Sequence, residues 1–214
     1  MSVAVEGQVP LAVMLLGAVT AAFAESFAVA GAFGVGAALV LWAFREIPFV
    51  TPASPLGAVA PASGHVFSVA IKRDPWLANR SSLRIVQRVR LPGFIAIRAP
   101  LEGTVKDYWV RGGTTRANPD MDASPTCYTL WLQTDEGDDF VLAIHGRKAV
   151  SRFRAQISPG ERVGHGHRLG FVYFATAISI YLPAETETEL VAKTSLIGGA
   201  TSIGVLARPE PVVH

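Results

Sequence analysis

The chain predicts a mainly β fold, a β-sandwich or barrel-like soluble domain over residues 47–214, preceded by a helical membrane anchor over residues 1–46. Three observations carry that expectation. Residues 10–44 hold a single formal charge, Glu25. Past residue 50, apolar side chains recur at every second position and no segment shows a long helical period. Turn-forming residues punctuate the chain at short intervals, with 20 Gly and 14 Pro in 214 residues.

The apolar leader divides at Glu25-Ser26 into Pro10–Ala24 and Phe27–Phe44. Each half is shorter than the roughly 20 residues needed to cross a hydrocarbon core of about 30 Å. It therefore reads either as a hairpin of two short helices or as one span with an interfacial lead. Gly31, Gly34, Gly36, Ala37 and Ala38 would let two helices approach closely. A cleaved leader ending at Ala22-Phe23-Ala24 is the rival, but residues 1–9 contain no Lys or Arg. Arg45 suits a cytoplasmic flank, so the expected location is the cytoplasmic face of the cell membrane.

Residues 47–64, with Pro48, Pro52, Pro55 and Pro61, read as a linker with turns. Leu83, Ile85, Val89 and Leu91 alternate with Arg84, Arg88 and Arg90, the pattern of a half-exposed strand with a basic face. Residues 128–133 and 140–144 read as a hairpin joined by the acidic turn 135–139. Residues 168–173 and 178–182 are two more strands, Gly146–Phe153 is a candidate short helix, and residues 111–126 are an irregular loop. Glu185, Glu187 and Glu189 alternate at strand spacing and read as one solvated face. Ala99–Val105, Ser158–Gly166 and Leu196–Ala207 look like the turn-strand elements of a lipoyl-type domain. Lys106 and Lys193 lack the flanking context of a carrier lysine, so no lipoyl or biotin attachment is expected.

Charge is uneven. Between Lys72 and Arg98 seven cations face one carboxylate, Asp74, while the formal net charge of the chain is only +2. Arg84, Arg88, Arg90 and Arg98 are the candidate contacts to anionic phospholipid, with nucleic acid not expected as a partner. The single Cys127 forbids an internal disulfide and reads as structural. His165 and His167, two residues apart, have no acidic or Cys neighbour nearby, so no metal is expected. P-loop, Rossmann and zinc signatures are absent from the sequence. His145, which follows an apolar run and precedes Gly146, is the best candidate for a proton-transfer group.

Several motifs, in order, resemble one family. Trp42-Ala-Phe-Arg-Glu46 looks like a Phe-Phe-Arg-Asp segment, and Ala60-Pro-Ala-Ser-Gly-His-Val66 resembles Ser-Pro-Ala-Asp-Gly-x-Val. Arg84–Pro100 lines up without a gap on a strand ending Val-His-Val-Asn-Arg-Ala-Pro. Ile144-His-Gly146, followed by Arg147, Arg152 and Arg154, resembles Ile-Ala-Gly before an Arg-rich turn. Gly160–Gly170 then leads into Phe174-Ala-Thr-Ala177, where the pattern has Phe-Gly-Ser-Arg. This is similar to the short, membrane-anchored phosphatidylserine decarboxylases.

The resemblance implies a specific chemistry. A Ser hydroxyl attacks the carbonyl of the preceding Gly, and the ester formed eliminates, which leaves a pyruvoyl group on the new N-terminus. That ketone forms a Schiff base with phosphatidylserine and takes up electrons as CO₂ leaves. A His oriented by an Asp activates the Ser. Here the Asp position is Ser63, the His position Ile95, the Gly position Ala175 and the Ser position Thr176, and no Gly-Ser dipeptide occurs in the chain. The expectation is therefore a non-processing relative without pyruvoyl, associating with aminophospholipid and with a second copy or an active relative. Two alternatives stand beside it. One is an active decarboxylase cleaving at Ala175-Thr176; the other is an envelope β-sandwich binding protein.

Overall fold

The computed structural model describes residues 2–3, 5–43, 45–46, 50–54, 56–89, 94–112, 126–146, 152–173 and 175–207. These fall into two units. The first comprises residues 1–48 with 92–94, and the second comprises 49–91 with 95–214.

In the first unit β1 (Ser2–Val3), α1 (Val5–Phe23), α2 (Phe27–Ala43) and β2 (Arg45–Glu46) form a closed hairpin. β1 pairs antiparallel with β2, Ser2 opposite Glu46, so the two ends of the helical pair meet. The turn between the helices is made by Glu25 at φ 56, and Ser26 N–H donates to Ala21 O at 3.0 Å. Gly17 lies under the Phe33 ring, where a Cβ would collide, and Gly36 lies tightly against Met14. A Cβ at Gly31 or Gly34 would meet open space, so Gly17 and Gly36 serve the close approach expected of the glycines and Gly31 and Gly34 do not. The sequence-derived hairpin is thus found, but the membrane-spanning anchor is not. Among the described residues no helix is long and apolar enough to cross a membrane. Neither α1 with 19 residues nor α2 with 17 combines the length and the apolar character that a bilayer core requires.

Among the described residues the second unit is built of strands and turns. Its strands are β3 (Gly57–Val59), β4 (Gly64–Arg73), β5 (Ser81–Val89), β6 (Phe94–Arg98), β7 (Gly103–Gly112), β8 (Thr126–Gln133), β9 (Asp139–Gly146), β10 (Arg152–Ala155), β11 (Arg162–Val163), β12 (Arg168–Tyr173), β13 (Ala175–Pro183), β14 (Ser195–Leu196) and β15 (Ser202–Val205). An eight-stranded sheet runs β11-β7-β8-β9-β13-β5-β4-β14; beside it stand a three-stranded sheet β10-β12-β6 and the pair β15-β3. The mainly β expectation holds, and so does the hairpin over the acidic turn. Of the candidate helix 146–153, Gly146 closes β9 and residues 152–153 belong to β10, and 147–151 lie outside the described residues. Of the expected loop 111–126, residues 111–112 belong to β7 and 126 to β8, and the rest lie outside the described residues.

The period-2 alternation of side chains gives the large sheet two faces. Leu83 and Ile85 of β5, Leu130 and Leu132 of β8, Leu142 and Ile144 of β9, and Ile178, Ile180 and Leu182 of β13 fill the inner core. Burying each such side chain stabilises the fold by roughly 1.5–3 kcal/mol. Cys127, Val141, Ala143 and Tyr181 form a smaller cluster, against which Trp76, Leu77 and Trp131 pack.

Candidate functional site

Ser63, Ile95 and Thr176, which the motif order sets at the expected processing positions, lie toward one end of the sheet. β4 and β13 both run antiparallel to β5, and His65 and Ala177 both stand opposite Arg88. Ser63 and Thr176 therefore precede the same row at the same strand ends. β6 runs past the Ser63 segment: Arg98 N–H donates to Pro61 O and Val59 N–H to Pro100 O, each at 2.9 Å. This antiparallel course carries Ser63 toward the Ile95 end of β6.

The contacts of these residues are as follows. The Ser63 hydroxyl accepts from Gly198 N–H at 3.1 Å, a structural tie. Ile95 is buried in the core with Ala175. Thr176 lies at an irregularity in the β13–β9 ladder, between Ala175 opposite Gly146 and Ala177 opposite His145. This bulge re-aims the intervening side chain. The Thr176 hydroxyl donates to the backbone oxygen of His145 at 3.1 Å. Ala175 itself is fully buried, where the added methyl restricts backbone freedom that Gly would have.

His145 does not turn toward Thr176. Its Nε2 lies 2.8 Å from Ser179 Oγ on the outer face, in a buried setting. Arg84 Nη2 donates to the same Ser179 Oγ at 3.4 Å, and the Arg84 guanidinium stands 5.8 Å from the centre of the Tyr181 ring. Ser179 was not singled out by the sequence. A hydroxyl between Ile178 and Ile180 in an apolar strand is the signal that it has a partner across the ladder.

The four candidate lipid-contacting arginines do not share one exposed surface. Arg84 is 3% exposed. Arg88 is exposed and lies 4.1 Å above the Phe67 ring. Arg98 is half-buried and donates to Gly166 O at 3.4 Å, while Arg90 lies outside the described residues. His167 is exposed. His165 is partly buried; burial lowers its basicity, against which Glu102 and the backbone of Pro100 and Gly57 act in the opposite direction.

Comparison with known proteins agrees with the order of motifs. The chain is 30% identical over 149 residues to a phosphatidylserine decarboxylase proenzyme of Nitrosomonas eutropha, covering 69% of this chain and 68% of that one. It is 28% identical over 160 residues to the proenzyme of Nitrosomonas europaea, 74% of each chain. Against the proenzyme of Aromatoleum aromaticum it is 25% identical over 196 residues, covering 86% of this chain and 90% of that one. No family model matches the chain.

Proposed function

Because the chain belongs to the phosphatidylserine decarboxylase family, we propose that it is a phospholipid-metabolism protein that no longer processes itself. In this reading it works at the cytoplasmic face of the membrane. It binds aminophospholipid and associates with a second copy or an active relative.

The observation that supports this reading is the setting of Thr176. Its hydroxyl is spent as a donor to the His145 carbonyl oxygen, and the neighbouring family positions hold Ile95 and Ser63. An attacking hydroxyl must surrender its proton to a base within hydrogen-bond reach. A carbonyl oxygen does not take it. The residues present therefore do not fit a pyruvoyl group: the hydroxyl is turned to a carbonyl and not to a base, and its β-methyl and the buried Ala175 crowd the peptide it would attack. Exposed Arg88 supplies a cation for the anionic headgroup.

One feature favours the second reading, an active decarboxylase. The bulge at Thr176 keeps the peptide out of regular pairing where relatives of this pattern are cut. Intact mass of the full chain, purified from membranes without added nucleophiles, separates the two. A single species of 22.7 kDa is the expected result. A blocked C-terminal piece spanning 176–214 would overturn the proposal and make Thr176 the source of a ketoacyl group.

A further inference from the structure

The small sheet β10-β12-β6 has one face on the core and one turned away from it. Phe153 stands opposite Val172 across the β10–β12 ladder, and both belong to the core side. Arg152 stands opposite Tyr173 and Arg154 opposite Phe171, and residues directly opposite share a face. The other face therefore carries two arginines and two aromatic rings in register. Arg168 of β12 joins them, its guanidinium 5.6 Å from the centre of the Phe171 ring. On β6, Arg98 follows Ile97 of the core and so alternates to the same side.

Four guanidinium groups thus meet no carboxylate of their own sheet, because β6, β10 and β12 contain neither Asp nor Glu. The surrounding sequence repeats the bias. Residues 147–159 hold Arg147, Lys148, Arg152 and Arg154 and no acidic residue, in a chain whose formal net charge is +2. Acidic side chains collect elsewhere, on the 135–139 turn and at Glu185, Glu187 and Glu189. Like charges on neighbouring positions repel and contribute nothing favourable to the fold. A single charged side chain is enough to blunt an edge strand; two on the four residues of β10, backed by two more, exceed that need.

The exposures favour one kind of partner. Arg152 and Arg154 are exposed, while Arg98, Arg168 and Tyr173 are half-buried. Phe171 is 6% exposed, its ring engaged by Arg168 and, edge to face at 5.4 Å, by Tyr173. A nucleic-acid strand requires an open ring on which a base can stack, and this ring offers none. An anionic bilayer requires only dispersed cations on apolar stems and an aromatic side chain with a polar tip, and this face has both.

We propose that this face of the three-stranded sheet, with Arg152, Arg154, Arg168 and Tyr173, is the surface by which the chain rests on an anionic phospholipid bilayer. The inference rests on the lipid-binding reading above and gives it a surface, which the four arginines singled out in the sequence do not form together.

The full chain carrying Ala155→Cys, labelled there with an environment-sensitive fluorophore, reads this face directly. Ala155 is exposed beside Arg154, and the fully buried Cys127 stays unlabelled in the folded chain. Vesicles of phosphatidylcholine mixed with phosphatidylglycerol should raise the emission, and added salt should reverse the change. Pure phosphatidylcholine should leave it unaltered. The same label in Ala192→Cys, exposed near the Glu-rich turn, should stay silent. Arg152→Gln combined with Arg154→Gln should weaken vesicle binding about thirtyfold, the effect of removing two cations from an anionic surface. A silent Ala155 label with every vesicle, equal responses of the two labels, or unchanged affinity in the double variant would overturn the proposal. So would a response to a DNA oligonucleotide in place of vesicles. Phosphatidylglycerol carries no amine, which separates this face from the reading beneath it. Equal responses to phosphatidylserine and phosphatidylglycerol vesicles uphold the face and overturn amine-selective binding. Preference for phosphatidylserine vesicles with a silent Ala155 label does the reverse.

Discussion

Strand β13 belongs to two different environments, one on each face. Inward it sets Ile178, Ile180 and Leu182 into the aliphatic core. Outward it sets Ser179 between His145 and Arg84, and Tyr181 under Trp76 and Leu77. The inner face is held by area, which tolerates exchange of one apolar group for another of similar size. The outer face is held by directional bonds among buried polar groups, where removing one partner strands the others. The difference teaches which face absorbs substitution and which does not. Ile95 and Ala175 lie in the inner core, whereas Ser179, His145 and Arg84 bond one another on the outer face.

The largest expected change comes from restoring the pattern at the processing end. A chain carrying Ser63→Asp, Ile95→His, Ala175→Gly and Thr176→Ser should pass from a single 22.7 kDa species to a cleaved pair, read by intact mass. If the folded quadruple variant stays uncut, the loss of processing is not confined to these positions. Next, Leu182→Ala on the inner face should destabilise by about 2–5 kcal/mol, measured by urea unfolding. Ser179→Ala on the outer face should cost less, about 1–3 kcal/mol, because it orphans His145 and Arg84 contacts while opening little volume. Equal costs would erase the proposed contrast between the faces.

The smallest effect is set by pH. His165 has its folded pKa lowered, chiefly by burial, so the unfolded chain binds its proton more readily than the folded one. Stability should therefore be complete above the ordinary histidine value of about 6.5 and fall as pH drops through it toward the folded value. In His165→Gln the urea midpoint should lose that part of its acid dependence. A variant with the parent's profile would show that another group carries it.

The strands with uninterrupted alternation are legible in the amino-acid sequence alone. Expectations at 168–173 and 178–182 correspond to Arg168–Tyr173 and Ala175–Pro183, and the hairpin over 135–139 joins β8 to β9. β4 is less visible because its ladder shifts between Val66 and Ser68, which reverses the parity of side chains along the strand. The alternation of Glu185, Glu187 and Glu189 reads as a strand face. The three are indeed exposed, but on a turn with a single bridge from Glu187 to Val205. At the candidate site, the motif order places Ser63, Ile95 and Thr176, because each has a sequence position in a pattern. The His145–Ser179 contact spans 34 residues and depends on ladder register, which no local spacing encodes. For the same reason Arg84 reads as an outward cation, although it is buried among its Tyr181 and Ser179 contacts.

The β1–β2 clasp bears on how this chain could have been assembled. Because Ser2 pairs with Glu46, the helical segment begins and ends at the same place. A segment with joined ends behaves as a cassette, which recombination can add, delete or swap as one piece without re-threading the strands downstream. Relatives could therefore differ in this leader far more than in their strands. A reporter fused ahead of Ser2 would emerge beside residue 46 and would not lie a helix length away.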